Sequence, residues 1–172
     1  NSPEKILIFD FPNLIPPTII TRSTHEVMEF LKTYKKAVIK PIYGNGGEGV
    51  FLLSKNDFNL NQILESFLSG SKEPFMVQKY LPEITRGDKR IILINGKPAG
   101  ALARVPKQNE IRSNIHVGGS AKKVSISKSD NAICDAIGPE LKKRKLFFVG
   151  IDIIGKYLTE INVTSPTCLI EI

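Results

Sequence analysis

The chain has 172 residues, 41% hydrophobic and 24% charged, an ordinary globular composition with room for one large domain or two small lobes. No apolar run approaches the roughly 18 residues of a membrane-spanning helix, and the start lacks the charged, apolar, small-residue order of a secretory signal. The net charge of +7 leaves two readings open: a basic surface with no specific partner, or attraction to nucleotide phosphates, acidic small substrates or nucleic acid.

The first residue is Asn1, so the opening Asn-Ser-Pro-Glu-Lys reads as the middle of a longer protein. Residues 5–11 are apolar and fit a short strand or turn, followed by a proline-rich link at Pro12, Pro16 and Pro17. Ser23, with Glu26 three residues on, is a capping box, and Val27, Phe30, Leu31 and Tyr34 predict a helix over 24–35. Residues 37–41 form a strand that Pro41 ends. A glycine turn over 44–49 leads to apolar 50–53. Helical spacing returns over 58–68, and 75–78 is a strand.

From 89 to 94, a turn at 95–97, then 98–105 reads as a β-hairpin. Residues 106–123 are polar, glycine-containing and long for a loop, which predicts a functional lid. Residues 129–145 form a helix that Gly138-Pro139 threatens to break, and 147–154 with 159–163 form a second antiparallel pair around Gly155-Lys156. Hairpins outnumber β-α-β units, so the class is α+β with mostly antiparallel sheets, divided into two lobes near Tyr80–Arg86. Cys134 and Cys168 have no metal-ligand spacing and read as reduced thiols, which fits the cytoplasm.

Four constellations could carry chemistry. Lys40 ends a strand, and Gly46, Gly47 and Gly49 follow. Glycines let backbone N–H groups approach a polyanion, and the lysine adds a point charge, although a plain hairpin turn has the same pattern. It is not a Walker motif, since no Gly-Lys-Ser/Thr follows. Glu160 and Asn162, two apart on a strand, share a face that Asp152 on the neighbouring strand can join. Such hard oxygen donors suit Mg²⁺, and a solvated sheet face reads equally well.

Arg90 and Arg104 sit inside apolar strands, where a charge needs a partner or a solvated site. With Arg86 and Arg112 they could clamp a carboxylate or phosphoryl group, with plain surface charge the alternative, above all for Arg86. The Lys142–Lys145 run ends a helix, where cations favour the dipole. No aromatic residues interleave with it as strand-binding would need, so nucleic acid is a poor partner. His25 and His116 pair with no nucleophile.

The stretches 148–155 (Phe-Val-Gly-Ile-Asp-Ile-Ile-Gly) and 158–168 (Leu-Thr-Glu-Ile-Asn-Val-Thr-Ser-Pro-Thr-Cys) carry the most specific resemblance. With Gly87-Asp88-Lys89-Arg90, Ala103-Arg104-Val105-Pro106 and Gln78–Pro82, the chain resembles the bacterial glutathione synthetases over nearly its whole length. The resemblance implies an ATP-grasp fold of two α+β lobes enclosing the nucleotide. It implies residues 1–13 as a linker from a missing N-terminal substrate domain, 14–82 as the small lobe and 83–172 as the catalytic lobe. It implies ATP-dependent ligation of γ-glutamylcysteine and glycine through an acyl phosphate, with Mg²⁺ or Mn²⁺, in a cytoplasmic, homo-oligomeric parent.

By the same resemblance Lys5 and Lys40 contact phosphates, and Gly46, Gly47 and Gly49 close over ATP. Gln78, Lys79, Tyr80 and Leu81 line the adenine hinge, and Asp88 lies near the ribose. Asp152, Glu160 and Asn162 hold the metal. Arg90 and Arg104 steady the reacting carboxylate and phosphoryl group, Arg112 closes with the lid, and Ser165 and Thr167 hold the dipeptide's cysteinyl end. Tyr43 stands where relatives often carry Asp, and Ser120 where Arg often follows the glycine pair. Another ATP-grasp carboxylate–amine ligase is the alternative, and a non-enzymatic basic module for nucleic acid is a further one.

Overall fold

Alternating short strands and two amphipathic helices build the segment 16–80. In the computed structural model, which describes residues 4–44, 46–108, 110–114 and 118–172, it is one of two compact units. Strands β1 (Thr18–Thr21), β2 (Lys36–Pro41), β3 (Phe51–Ser54) and β4 (Phe75–Lys79) form an antiparallel sheet in the order β1-β4-β2-β3. Helices α1 (Thr24–Tyr34) and α2 (Leu60–Gly70) supply Val27, Phe30, Leu31, Leu60 and Leu64 to a core with Ala37, Ile39, Leu53, Phe75 and Val77. Ser23 Oγ accepts from the Glu26 N–H, as the cap signal predicts. Arg22 donates to the carbonyls of Leu68, Ser71 and Glu73, satisfying groups at the C-terminal end of α2.

The second unit combines residues 1–15 with 81–172. Its strands are β5 (Asp88–Ile94), β6 (Lys97–Val105), β7 (Ser120–Lys123), β8 (Phe148–Ile154) and β9 (Tyr157–Asn162), in the antiparallel order β7-β6-β5-β8-β9. Helix α3 (Lys128–Lys143) lies against this sheet. Its Ile133, Cys134, Ile137 and Leu141 are buried, as are Ile91, Val149, Ile151 and Ile161 of the strands. Ser127 and Asp130 form a complete capping box, and Lys89 pairs with Asp130 from the sheet. Because strand residues alternate faces, Lys89 on the helix side puts Asp88 and Arg90 on the opposite face.

Several expectations change. Of residues 5–11, expected as a short strand or turn, 5–6 form a turn and Leu7–Asp10 a 3-10 helix. The expected linker 1–13 is not a linker where it is described: Lys5, Leu7 and Ile8 are buried, and the helix contacts β9. The backbone of Leu158 also donates to the Leu14 carbonyl at 2.9 Å, so this segment covers part of an edge strand. The 106–123 segment is not wholly a loop, because 120–123 pairs with β6 as β7.

Helix α3 passes through Gly138-Pro139 unbroken. Gly138 packs against the β5–β6 turn, where Asn95 and Gly96 both have positive φ, the two-residue hairpin geometry. A Cβ on Gly96 would stand 2.7 Å from the Gly138 carbonyl oxygen, so the turn and the helix meet only through glycine.

Candidate active site and metal face

Four charged side chains form a buried chain on the sheet face opposite α3. Asp88 lies across from Arg104 in the β5–β6 register, and Arg90 across from Asp152 in the β5–β8 register. Arg90 donates Nε to Asp152 Oδ1 at 2.8 Å and NH2 to Asp152 Oδ2 at 2.7 Å, a fork-on-fork pair. Its NH1 reaches Thr167 Oγ1 at 2.9 Å. Arg104 donates Nε to Asp88 Oδ1 at 3.0 Å and NH2 to Asp88 Oδ2, and NH2 also lies 3.0 Å from Asp152 Oδ2. All four residues are at most 6% exposed, which answers how charges survive in these strands: each has an opposite partner.

The pair of carboxylates titrates unequally. Burial would push Asp152 up, but Arg104 and Arg90 outweigh it and hold this carboxyl well below the usual range. Asp88 is pushed up by burial, with Asp152 repelling it and the shared Arg104 and Ser113 opposing. For both arginines burial works against the charge, but Asp152 wins and raises them. Ser113, buried and in the segment expected as a lid, also bonds Asp88. No local pattern in the sequence marks Ser113.

The acidic strand pair follows the expected geometry. Asp152 lies directly across from Glu160, and Gly150 across from Asn162. A register shift after Asp152 accommodates Thr159, whose hydroxyl donates to the Asp152 carbonyl at 3.1 Å. Asn162 Nδ2 donates to Asp152 Oδ2 at 3.3 Å, so the amide and the carboxylate meet. Asp152 is buried, whereas Glu160 and Asn162 are half-buried.

Other expected residues are placed as follows. Lys5 is buried in this same unit, and Leu81 is buried at its start. Ser165 and Thr167 are exposed on the segment leaving β9. Arg112 pairs locally, donating NH2 to Glu110 Oε2 at 2.6 Å, and this bond pulls Glu110 down to about 2. Asp88, expected near a ribose, has both oxygens on Arg104 and is 6% exposed. His116 lies outside the described residues.

In the other unit, Lys40 lies on β2 opposite Met76. Gly46, Gly47 and Gly49 all have positive φ, and a Cβ on Gly49 would come within 2.9 Å of Pro41 Cγ. Gln78 is buried and donates Nε2 to Thr18 Oγ1 at 3.0 Å, so its side chain serves the sheet. The N–H groups of Lys79 and Tyr80 donate to the Pro17 and Lys36 carbonyls, which removes those two donors from base recognition.

A family model described as "Prokaryotic glutathione synthetase, ATP-grasp domain" matches residues 4–172. The chain belongs to this family. The glutathione synthetase of Brucella melitensis is 52% identical over 172 residues, all of this chain and 55% of that protein. The one from Mesorhizobium japonicum is 50% identical over the same span, again 55% of its length. The chain thus spans little more than half of these relatives.

Among solved structures, the D-cycloserine synthetase DcsG superposes with a TM-score of 0.76 at 13% identity, covering 96% of this chain and 63% of that one. The D-alanine–D-alanine ligase of Bacillus anthracis gives 0.69 at 14%, covering 94% and 57%. The ATP-grasp ligase PsnB, solved with a minimal precursor, Mg and ADP, gives 0.66 at 19%, covering 93% and 48%. At these identities they show the fold, which is ATP-grasp, in the expected α+β class. No helix among the described residues is long and apolar enough to cross a membrane.

The family implies a divalent cation, and Asp152, Glu160 and Asn162 fit one in kind. All three offer hard oxygen atoms on adjacent positions of one strand pair, and Asp152 is held ionised.

Proposed function

We propose that this chain is the ATP-binding catalytic region of a glutathione synthetase. In this reading the γ-phosphoryl group of ATP passes to the cysteinyl carboxylate of γ-glutamylcysteine. The glycine amine then attacks the acyl carbon, and phosphate leaves, giving glutathione, ADP and phosphate. Such a reaction needs positioning, charge neutralisation and exclusion of water more than a covalent nucleophile.

The observation that carries the reading is the single sheet face that unites Arg90 and Arg104 with Asp152, Glu160 and Asn162. Asp152, Glu160 and Asn162 would hold Mg²⁺ or Mn²⁺, which neutralises phosphate charge when bound. Arg90, fixed by Asp152 and Thr167, and Arg104, fixed by Asp88, would steady the carboxylate and the phosphoryl group. Ser165 and Thr167 would hold the dipeptide's cysteinyl end, and Arg112 its other anionic groups. Lys5, Lys40 and the backbone of Gly46, Gly47 and Gly49 would serve the phosphates, and Tyr80 with Leu81 the adenine. We also propose a cytoplasmic, homo-oligomeric parent.

Full-length protein given ATP, Mg²⁺, γ-glutamylcysteine and glycine should release glutathione and phosphate in equal amounts, and omitting any component should stop both. Turnover with a different carboxylate and amine, but not with this pair, would replace this reading with another ATP-grasp ligase.

A further inference from the structure

Glu4 lies 159 positions before the residue it holds. Its Oε1 accepts from the backbone N–H of Val163 at 2.8 Å and from that of Thr164 at 2.8 Å. These are the first two residues after β9, where the strand ladder ends at Asn162. Strand-end N–H groups lose their ladder partners, and one carboxylate oxygen here replaces two of them with charge-assisted bonds. The segment so anchored carries Asn162 on one side and Thr167 on the other. Asn162 bonds Asp152, and Thr167 accepts from Arg90. Pro166, between them, lies against the sheet at Gly150, where a Cβ would come within 2.9 Å of it. Glu4 also directly precedes the buried Lys5.

We infer that Glu4 is a positioning residue: its carboxylate fixes the turn after β9, and through it the placement of Asn162 and Thr167 against Asp152 and Arg90. The structural half of this inference stands alone, and its effect on catalysis rests on the ligase reading above. Removing the carboxylate frees both N–H groups and lets the 163–168 segment leave the sheet face. An amide in its place keeps an acceptor oxygen but loses the charge.

The test uses full-length protein with Glu4→Ala and Glu4→Gln. Hydrogen exchange should speed up at least about tenfold at the Val163 and Thr164 amides in Glu4→Ala, and less in Glu4→Gln, while Ile151 and Ile161 stay protected. Half-maximal Mn²⁺ binding, read by paramagnetic resonance with a non-hydrolysable ATP analogue, should need several-fold more Mn²⁺ in Glu4→Ala and be largely rescued in Glu4→Gln. Unchanged exchange at the two amides would overturn the anchor. Faster exchange with unchanged Mn²⁺ binding would overturn the link to the site. Both readouts are independent of turnover, so a protein that makes no glutathione would sink the ligase reading and leave this test intact. If Glu4→Ala fails to fold, Glu4→Gln with wild-type exchange and weakened metal binding would equally contradict the anchor.

Discussion

Arg90 and Asp152 face each other across β5 and β8, and the guanidinium spends Nε and NH2 on the two carboxylate oxygens while NH1 turns to Thr167. Three directed bonds from one planar group cannot be reproduced by an ammonium. Arg90→Lys should therefore lower kcat/KM by about a hundredfold, in the range for a lost transition-state donor. Steady-state kinetics on the full-length protein, with a thermal melt to show that the variant folds, checks this.

Acid should weaken the fold through Asp152. Its folded carboxyl lies below the ordinary value near 3.9, so the native state binds fewer protons than the unfolded chain as pH falls below about 4. The stability it contributes is present above that value and lost as pH falls through the folded one. Asp88, raised by burial, acts the other way: its contribution is present at low pH and lost as pH rises. Between pH 5 and 3 the unfolding free energy from urea titration should fall more steeply in the wild type than in Asp152→Asn, by at most about 1.4 kcal/mol per pH unit.

The glycine contact between the β5–β6 turn and α3 gives a test remote from the site. Gly96→Ala meets both a positive φ and the Gly138 carbonyl, and should cost about 1–3 kcal/mol of stability. Denaturant unfolding measures this cost, and Mg²⁺-dependent nucleotide binding below the melting transition should be unchanged.

The two cysteines should react at different rates. Both are free, Cys134 is fully buried in α3, and burial pushes its thiol up to about 11. Cys168 is half-exposed. An alkylating reagent at pH 7.5 should label Cys168 in the native protein and Cys134 only after unfolding, as peptide mapping would show.

Much of this architecture was legible because it is local. Helix α1 announces itself through Ser23 and its apolar spacing, and the β5–β6 hairpin through Asn95-Gly96. Asp152, Glu160 and Asn162 were placed by strand alternation, which a one-residue shift at Thr159 leaves intact because Asp152 still opposes Glu160. What was not legible depends on distant partners. Pro139 breaks helices by rule, yet α3 continues, packed through Gly138 onto a turn that the helix sequence does not contain. Strand β7 is exposed along its whole length, so its pairing with β6 leaves no buried-and-exposed alternation to read. Nothing local to Asp88 signals its pairing with Arg104, which the strand register sets.

The most direct test is metal binding at the acidic face. Full-length protein with a non-hydrolysable ATP analogue should bind Mn²⁺, detected by paramagnetic resonance. Glu160→Gln, which keeps shape but removes charge, should weaken that binding at least about tenfold, in line with the 10- to 100-fold losses seen when a metal site's supporting groups change. Equal Mn²⁺ affinity in wild type and Glu160→Gln would contradict the role assigned to this strand pair.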